Sequence, residues 1–203
     1  QEQRANNLNL VTAAQFVPQI VHALALAKER GFVLPVVYNS SGYEDVETLR
    51  MLEGLVDIYL PDMKYVSSSL AREYSGASDY PQAARAAIAE MVRQQPEAGF
   101  GEDGMMRQGV IVRHLVLPGH VKEAKAVLQE LYGTYGNRIC YSIMNQYTPM
   151  EAVKKDPLLS RRVTAREYER VLEFALDLGI ENGFFQEGET AKESFIPVWE
   201  YTP

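Results

Sequence analysis

Short apolar runs that stop abruptly at polar residues punctuate this chain. Five stand out. Residues 8–11 run into Thr12, 34–38 into Asn39-Ser40, and 56–60 into Pro61-Asp62-Met63-Lys64; residues 109–112 run into Arg113-His114, and 139–144 into Asn145-Gln146-Tyr147. Amphipathic helical patterns lie between most of them. The alternation predicts a βα repeat in which each polar cluster falls at the C-terminal end of a strand. Parallel α/β sheets and barrels build their sites at that end.

The helical stretches carry local start and stop signals. Residues 16–28 place Val17, Ile20, Val21, Leu24 and Ala27 at helical spacing, with Gly31 as the C-cap. A shorter helix over 43–54 is ended by Gly54. Residues 80–94 form a helix with Pro81 in its first turn and Ala84, Ile88, Met91 and Val92 on one face. Another spans 122–132. A last helix begins at Thr164, where Glu167 completes a capping box, and stops at Gly179. The stretch holding Ser67, Ser68, Ser69, Tyr74 and Ser75 reads as a polar loop. Residues 95–108, with three Gly and one Pro, read as a surface loop, and a long loop follows residue 144. The run Gly183-Phe184-Phe185-Gln186 precedes a tail rich in Glu. With no linker or low-complexity tract, residues 1–203 are expected to form a single domain. Its parallel sheet should have five or six strands in sequence order, curved as an incomplete barrel.

Composition narrows the function classes. Of 203 residues 46% are apolar, enough for a sizeable core. A net charge of −7 argues against nucleic acid, which needs a basic footprint, but not against a small anion in a locally basic site. The apolar runs fall far short of the ~20 residues a membrane helix needs. No leader is visible, the first residues Gln1-Glu2-Gln3-Arg4 are polar, and the lone Cys140 cannot form an intrachain disulfide, so a cytoplasmic protein is expected. Cys140, within a strand pattern, reads as a small buried apolar residue. With three scattered histidines beside it, a zinc site is not expected. His22 and His114 read as packed and His120 as exposed.

The strand ends supply the candidate chemistry. Asp62 and Lys64, two apart in an extended segment, project to one side. They can bind polar ligand atoms or simply pair with each other. Arg113 can hold a carboxylate through its guanidinium fork, or pair with Asp62. Asn39-Ser40-Ser41-Gly42 is a polar strand-to-helix turn whose N–H groups can approach a ligand. Thr12, Gln15, Asn145, Gln146 and Tyr147 complete a polar-lined cup.

Five stretches together resemble the radical S-adenosylmethionine (SAM) superfamily, in the branch related to pyruvate formate-lyase activating enzymes. They are Asn7-Leu8-Asn9-Leu10-Val11-Thr12; residues 34–44, through Tyr38-Asn39-Ser40-Ser41-Gly42; residues 56–65, through Pro61-Asp62-Met63-Lys64; Val112-Arg113-His114-Leu115-Val116-Leu117-Pro118-Gly119; and Met144-Asn145-Gln146-Tyr147-Thr148-Pro149. The resemblance runs to about Gln186. It implies a partial TIM-type (β/α)6 barrel with SAM across the strand C-termini, and a [4Fe–4S] cluster on a C-x3-C-x2-C loop. That loop is absent here, so the chain is expected to lack the first βα unit and to bind no cluster itself.

By the same resemblance, Asp62, Lys64 and Arg113 would lie by SAM and a peptide substrate, with Asn39, Ser40 and Gln146 as further cofactor contacts. An Asp-Thr-Asn-Gly turn of the family stands here as Asn39-Ser40-Ser41-Gly42, and its Gly-Gly-Glu-Pro motif as Thr12-Ala13-Ala14-Gln15. The implied parent is an oxidoreductase that cleaves SAM reductively and abstracts hydrogen from a protein of glycyl-radical type, with a reductant as second partner. The fragment alone would be inactive, and the open edge at residues 8–11 should self-associate or be covered by the chain's own tail. The rival reading is a non-redox α/β barrel that binds or transforms a small anionic metabolite; a third is a binding module without catalysis.

Overall fold

A computed structural model describes residues 5–185 of the chain. Six strands lie parallel and side by side in the order in which they occur: β1 (Leu8–Val11), β2 (Val36–Ser40), β3 (Ile58–Pro61), β5 (Met106–Leu115), β6 (Cys140–Met144) and β7 (Gly183–Phe185). The short β4 (Gly99–Phe100) pairs antiparallel with β5. The helices are α1 (Val17–Glu29), α2 (Val46–Arg50), α3 (Ser68–Ser75), α4 (Tyr80–Gln94), α5 (Val121–Tyr135) and α6 (Ala165–Leu178). The expected parallel α/β sheet in sequence order is therefore present. β1 and β7 stand at the two ends of the strand order.

Three stretches differ from the sequence reading. Residues 95–108 are not a plain surface loop: β4 turns back at Gly101, whose N–H donates to Met105 O at 2.8 Å, and β5 begins at Met106. Glycines at 99, 101 and 104 hid this hairpin from a pattern search. The Ser-rich stretch holds α3. Ser67 caps it by accepting from Leu70 N, and Gly76 ends it at φ +66°. Leu70 and Tyr74, four apart, pack on the core, a weak period easily lost among serines. The helix expected over 43–54 is shorter, with α2 ending at Arg50 before Gly54. Pro81 sits in the first turn of α4, and Thr164 and Glu167 form a reciprocal capping box on α6.

Strand alternation separates two faces. Along one face the register aligns Leu10, Tyr38, Tyr59 and Val110, and these pack with the helices into the main core. Tyr38 and Tyr59 are cross-strand partners, edge to face with ring centroids 6.1 Å apart. Such a pair adds about 0.5–1.5 kcal/mol beyond its burial and pins the register. The other face carries Val37, Ile58 and Cys140, all buried outside that core cluster. Toward the strand C-termini this second face turns polar.

Candidate functional site

Register decides which side chains meet. β3 continues past Pro61 as a single parallel bridge between Asp62 and Arg113, and Arg113 is in turn level with Ser142 on β6. Asp62 and Arg113 therefore share the second face. Arg113 Nη2 lies 2.7 Å from Asp62 Oδ1, and the two side chains are 23% and 20% exposed. The same Nη2 donates to Asn39 Oδ1 at 2.8 Å, reaching across β3 to β2. Lys64 Nζ stands 4.0 Å from Asp62 Oδ2, more open to solvent. Four of the six candidate residues thus converge on one polar cluster at the strand C-terminal ends.

The other two do not join it in the same way. Ser40 alternates to the opposite face and is buried; its hydroxyl donates to Glu44 Oε1 at 2.7 Å and accepts from Gly42 N at 2.9 Å. It shapes the turn that carries Asn39. Gln146 is exposed just after β6, with Nε2 3.6 Å from Met144 Sδ.

Electrostatics give the cluster its character. Burial pushes the Asp62 carboxyl above its usual range, while Arg113 and then Lys64 pull it back. The contact to Arg113 is ionic but not an aligned hydrogen bond, because Asp62 Oδ1 has no hydrogen-bond partner by geometry; nor has Arg113 Nε. A buried acceptor and a buried donor therefore keep unused capacity on the face where the strands end. Two cations and one carboxylate leave the cluster with a local positive excess inside an acidic chain.

The remaining titratable groups have other roles. His114, next to Arg113, points into the core as the packed histidine expected, and burial lowers its pKa. His120 is not exposed but half-buried, its Nε2 2.9 Å from Tyr74 OH. His22, expected to be packed, is instead exposed, because α1 buries the face that carries Val17 and Leu24. Cys140 is buried, its thiol pushed up to about 11 by desolvation. No group of three or more His, Cys, Asp or Glu side chains among the described residues could hold a metal ion. No described helix is long and apolar enough to cross a membrane.

Sequence reasoning missed Tyr80, read only as the start of a helix. Its hydroxyl lies 2.9 Å from both Ser41 O and Asp62 O. No local pattern marks these contacts, since the partners lie 18 and 39 positions away in sequence.

No family model matches the chain. An uncharacterized protein of Methanocaldococcus jannaschii is 28% identical over 157 residues, which is 76% of this chain and 42% of that protein. The chain thus spans less than half the length of this relative. Among solved structures, a domain of a pyruvate-formate lyase-activating enzyme from Bacteroides vulgatus is similar with a TM-score of 0.63 at 10% identity, over 90% of this chain and 99% of that domain. At that identity the likeness is one of fold.

Proposed function

We propose that this chain is the SAM-binding, substrate-facing part of a radical-SAM activating enzyme. The observation that carries the reading is the meeting of Asn39, Asp62, Lys64 and Arg113 at the strand C-termini of a sheet whose fold resembles a domain of such an enzyme. The five sequence stretches that resemble the radical-SAM superfamily, three of which contain these residues, support the same reading.

The cluster fits the polar parts of SAM. Arg113 Nε is a buried donor without a hydrogen-bond partner, suited to a carboxylate or ribose oxygen, and the Asp62 carboxylate, ion-paired to Arg113 at 2.7 Å, can accept from an ammonium or hydroxyl. It does not fit an iron–sulfur cluster, which needs three thiolates where this chain has Cys140 alone, buried and protonated. On this reading the cluster's ligands lie outside these 203 residues, and so does SAM cleavage. The role left to this chain is to bind and orient the cofactor and to present a protein substrate of glycyl-radical type.

Affinity of the isolated chain should be weak. Charge-assisted contacts of about 1.5–3 kcal/mol each are offset by association costs of at least about 4 kcal/mol, which gives millimolar binding. Titrating SAM against the isotope-labelled chain should move the amide signals of Asn39, Asp62, Lys64 and Arg113, and Arg113→Met should abolish the response. Shifts elsewhere, or none, would sink the proposal. The local positive excess also favours a second reading, a small anionic metabolite. A dicarboxylate that moves the same signals more strongly than SAM would select it.

A further inference from the structure

We propose that Tyr80 and His114 are positioning residues, acting on Asp62 and Lys64 through the backbone that carries them. The ligand readout used below rests on the reading just given; the geometry does not. In the segment 62–64 every backbone polar group from Asp62 N to Lys64 N has a partner. Asp62 N donates to Ser40 O at 3.0 Å and Met63 N to Arg113 O at 2.9 Å, extending the sheet past the end of β3. The other three groups are held by two core side chains. Tyr80 OH lies 2.9 Å from Asp62 O and accepts from Lys64 N at 3.1 Å. His114 Nδ1 lies 2.8 Å from Met63 O. A carbonyl can only accept, so Nδ1 carries the proton and the ring is the Nδ1–H tautomer.

Tyr80 and His114 come from different elements, α4 and β5, and both are almost wholly buried. Met63 between them is fully buried. Asp62 and Lys64 are thereby set on a two-sided clamp, their side chains held on the sheet's second face. The single Tyr80 proton is shared with Ser41 O in the neighbouring turn, also 2.9 Å from the hydroxyl oxygen. One hydroxyl thus ties the turn beside Asn39 to the segment bearing Asp62 and Lys64. A site built from three strand ends needs such a tie, because charged groups act only if held in the productive geometry.

The test uses the whole 203-residue chain. Amide exchange is followed by NMR, and SAM itself is the binding probe. Tyr80→Phe deletes one hydroxyl, and His114→Leu deletes the ring donor. His114→Asn keeps a donor close to the Nδ1 position and serves as the rescue. Val127→Ala, in the core away from the segment, is the control for simple destabilisation. Tyr80→Phe and His114→Leu should speed exchange at Met63 and Lys64 about tenfold relative to core amides, the loss of one hydrogen bond. They should also weaken SAM binding several-fold, with His114→Asn near the parent on both counts. A uniform rise in exchange across the sheet, as Val127→Ala would give, overturns the proposal. So does unchanged SAM affinity in both variants. If the parent chain shows no response to SAM but Met63 and Lys64 lose protection selectively, the functional reading fails and the clamp stands.

Discussion

Removing the Arg113 guanidinium tests whether the cluster is a desolvated charge arrangement or a solvated surface pair. Arg113→Met keeps much of the side-chain volume and deletes the charge. It leaves the Asp62 carboxylate, about one-fifth exposed, with only Lys64 at 4.0 Å, and leaves Asn39 Oδ1 without its donor. Breaking a buried pair from one side costs about 3–5 kcal/mol, whereas exposed pairs contribute about 0–1 kcal/mol. Partial exposure and the remaining lysine place this site between the two, at about 2 kcal/mol.

The pH dependence gives the sharper signature. Burial already holds the native Asp62 carboxyl above its usual range, so the native state binds that proton more tightly than the unfolded chain does. Its contribution to stability is present below the unfolded pKa and is lost as pH rises through the folded one. Without Arg113 the folded pKa moves further up and the loss at neutral pH grows. Urea unfolding of parent and variant should therefore show a deficit of about 2 kcal/mol near pH 7 that shrinks toward zero near pH 4. The double variant Asp62→Asn, Arg113→Met should recover part of it, since no buried charge is orphaned. A deficit under about 0.5 kcal/mol, or one equal at both pH values, would refute the reasoning.

Three further outcomes follow from the same geometry. Thr12, at φ +52°, holds a left-handed conformation that costs a β-branched residue about 1–3 kcal/mol, so Thr12→Gly should stabilise by about 1 kcal/mol after the entropy cost of glycine; a lower melting temperature would contradict the strain. At Gly42, φ +79°, an added Cβ would meet Asp62 O at 2.1 Å, so Gly42→Ala should cost more than about 2 kcal/mol in chemical unfolding and shift the amide signals of 62–64; a neutral effect would mean that the turn does not pack there. Glu167 is held far below the usual carboxylate range, first by Arg161 and also by the Thr164 and Gly119 amides, so Glu167→Ala should cost about 2 kcal/mol near neutrality. That stabilisation is lost as pH falls through the folded pKa, so parent and variant should converge in acid; parallel curves would exclude it.

Much of the fold was legible because local and global signals agree. Five of the six parallel strands contain an apolar run that stops at polar residues, and several helices were marked at their ends, as Thr164 and Gly179 show on α6. The exceptions are elements with little apolar content of their own. β4 has two residues and draws its stability from pairing with β5, a contact that no window of sequence contains. α3 is mostly polar and is specified by its Ser67 cap, its Gly76 stop and tertiary packing of Leu70 and Tyr74. Tyr80 was invisible as a site residue for a related reason, since its hydroxyl acts on backbone atoms 16–39 positions away.

The candidate site was legible in its membership but not in its facing. Arg113 and His114 are adjacent, and a strand sends neighbours to opposite sides, so one of them had to be core. The sequence around them is apolar on both sides and does not say which. The parity is set by pairing: Asp62 lies level with Arg113, and Met63 N donates to Arg113 O. A shift of one residue in that register would put His114 against Asp62 and drive the guanidinium into the core, an outcome that burial of an unpaired charge forbids. The same parity sends Ser40 inward and leaves Asn39 on the face that Arg113 reaches. Burial on one face therefore chooses the charges on the other, and the polar cluster at the strand ends follows from the way the apolar half of each strand packs.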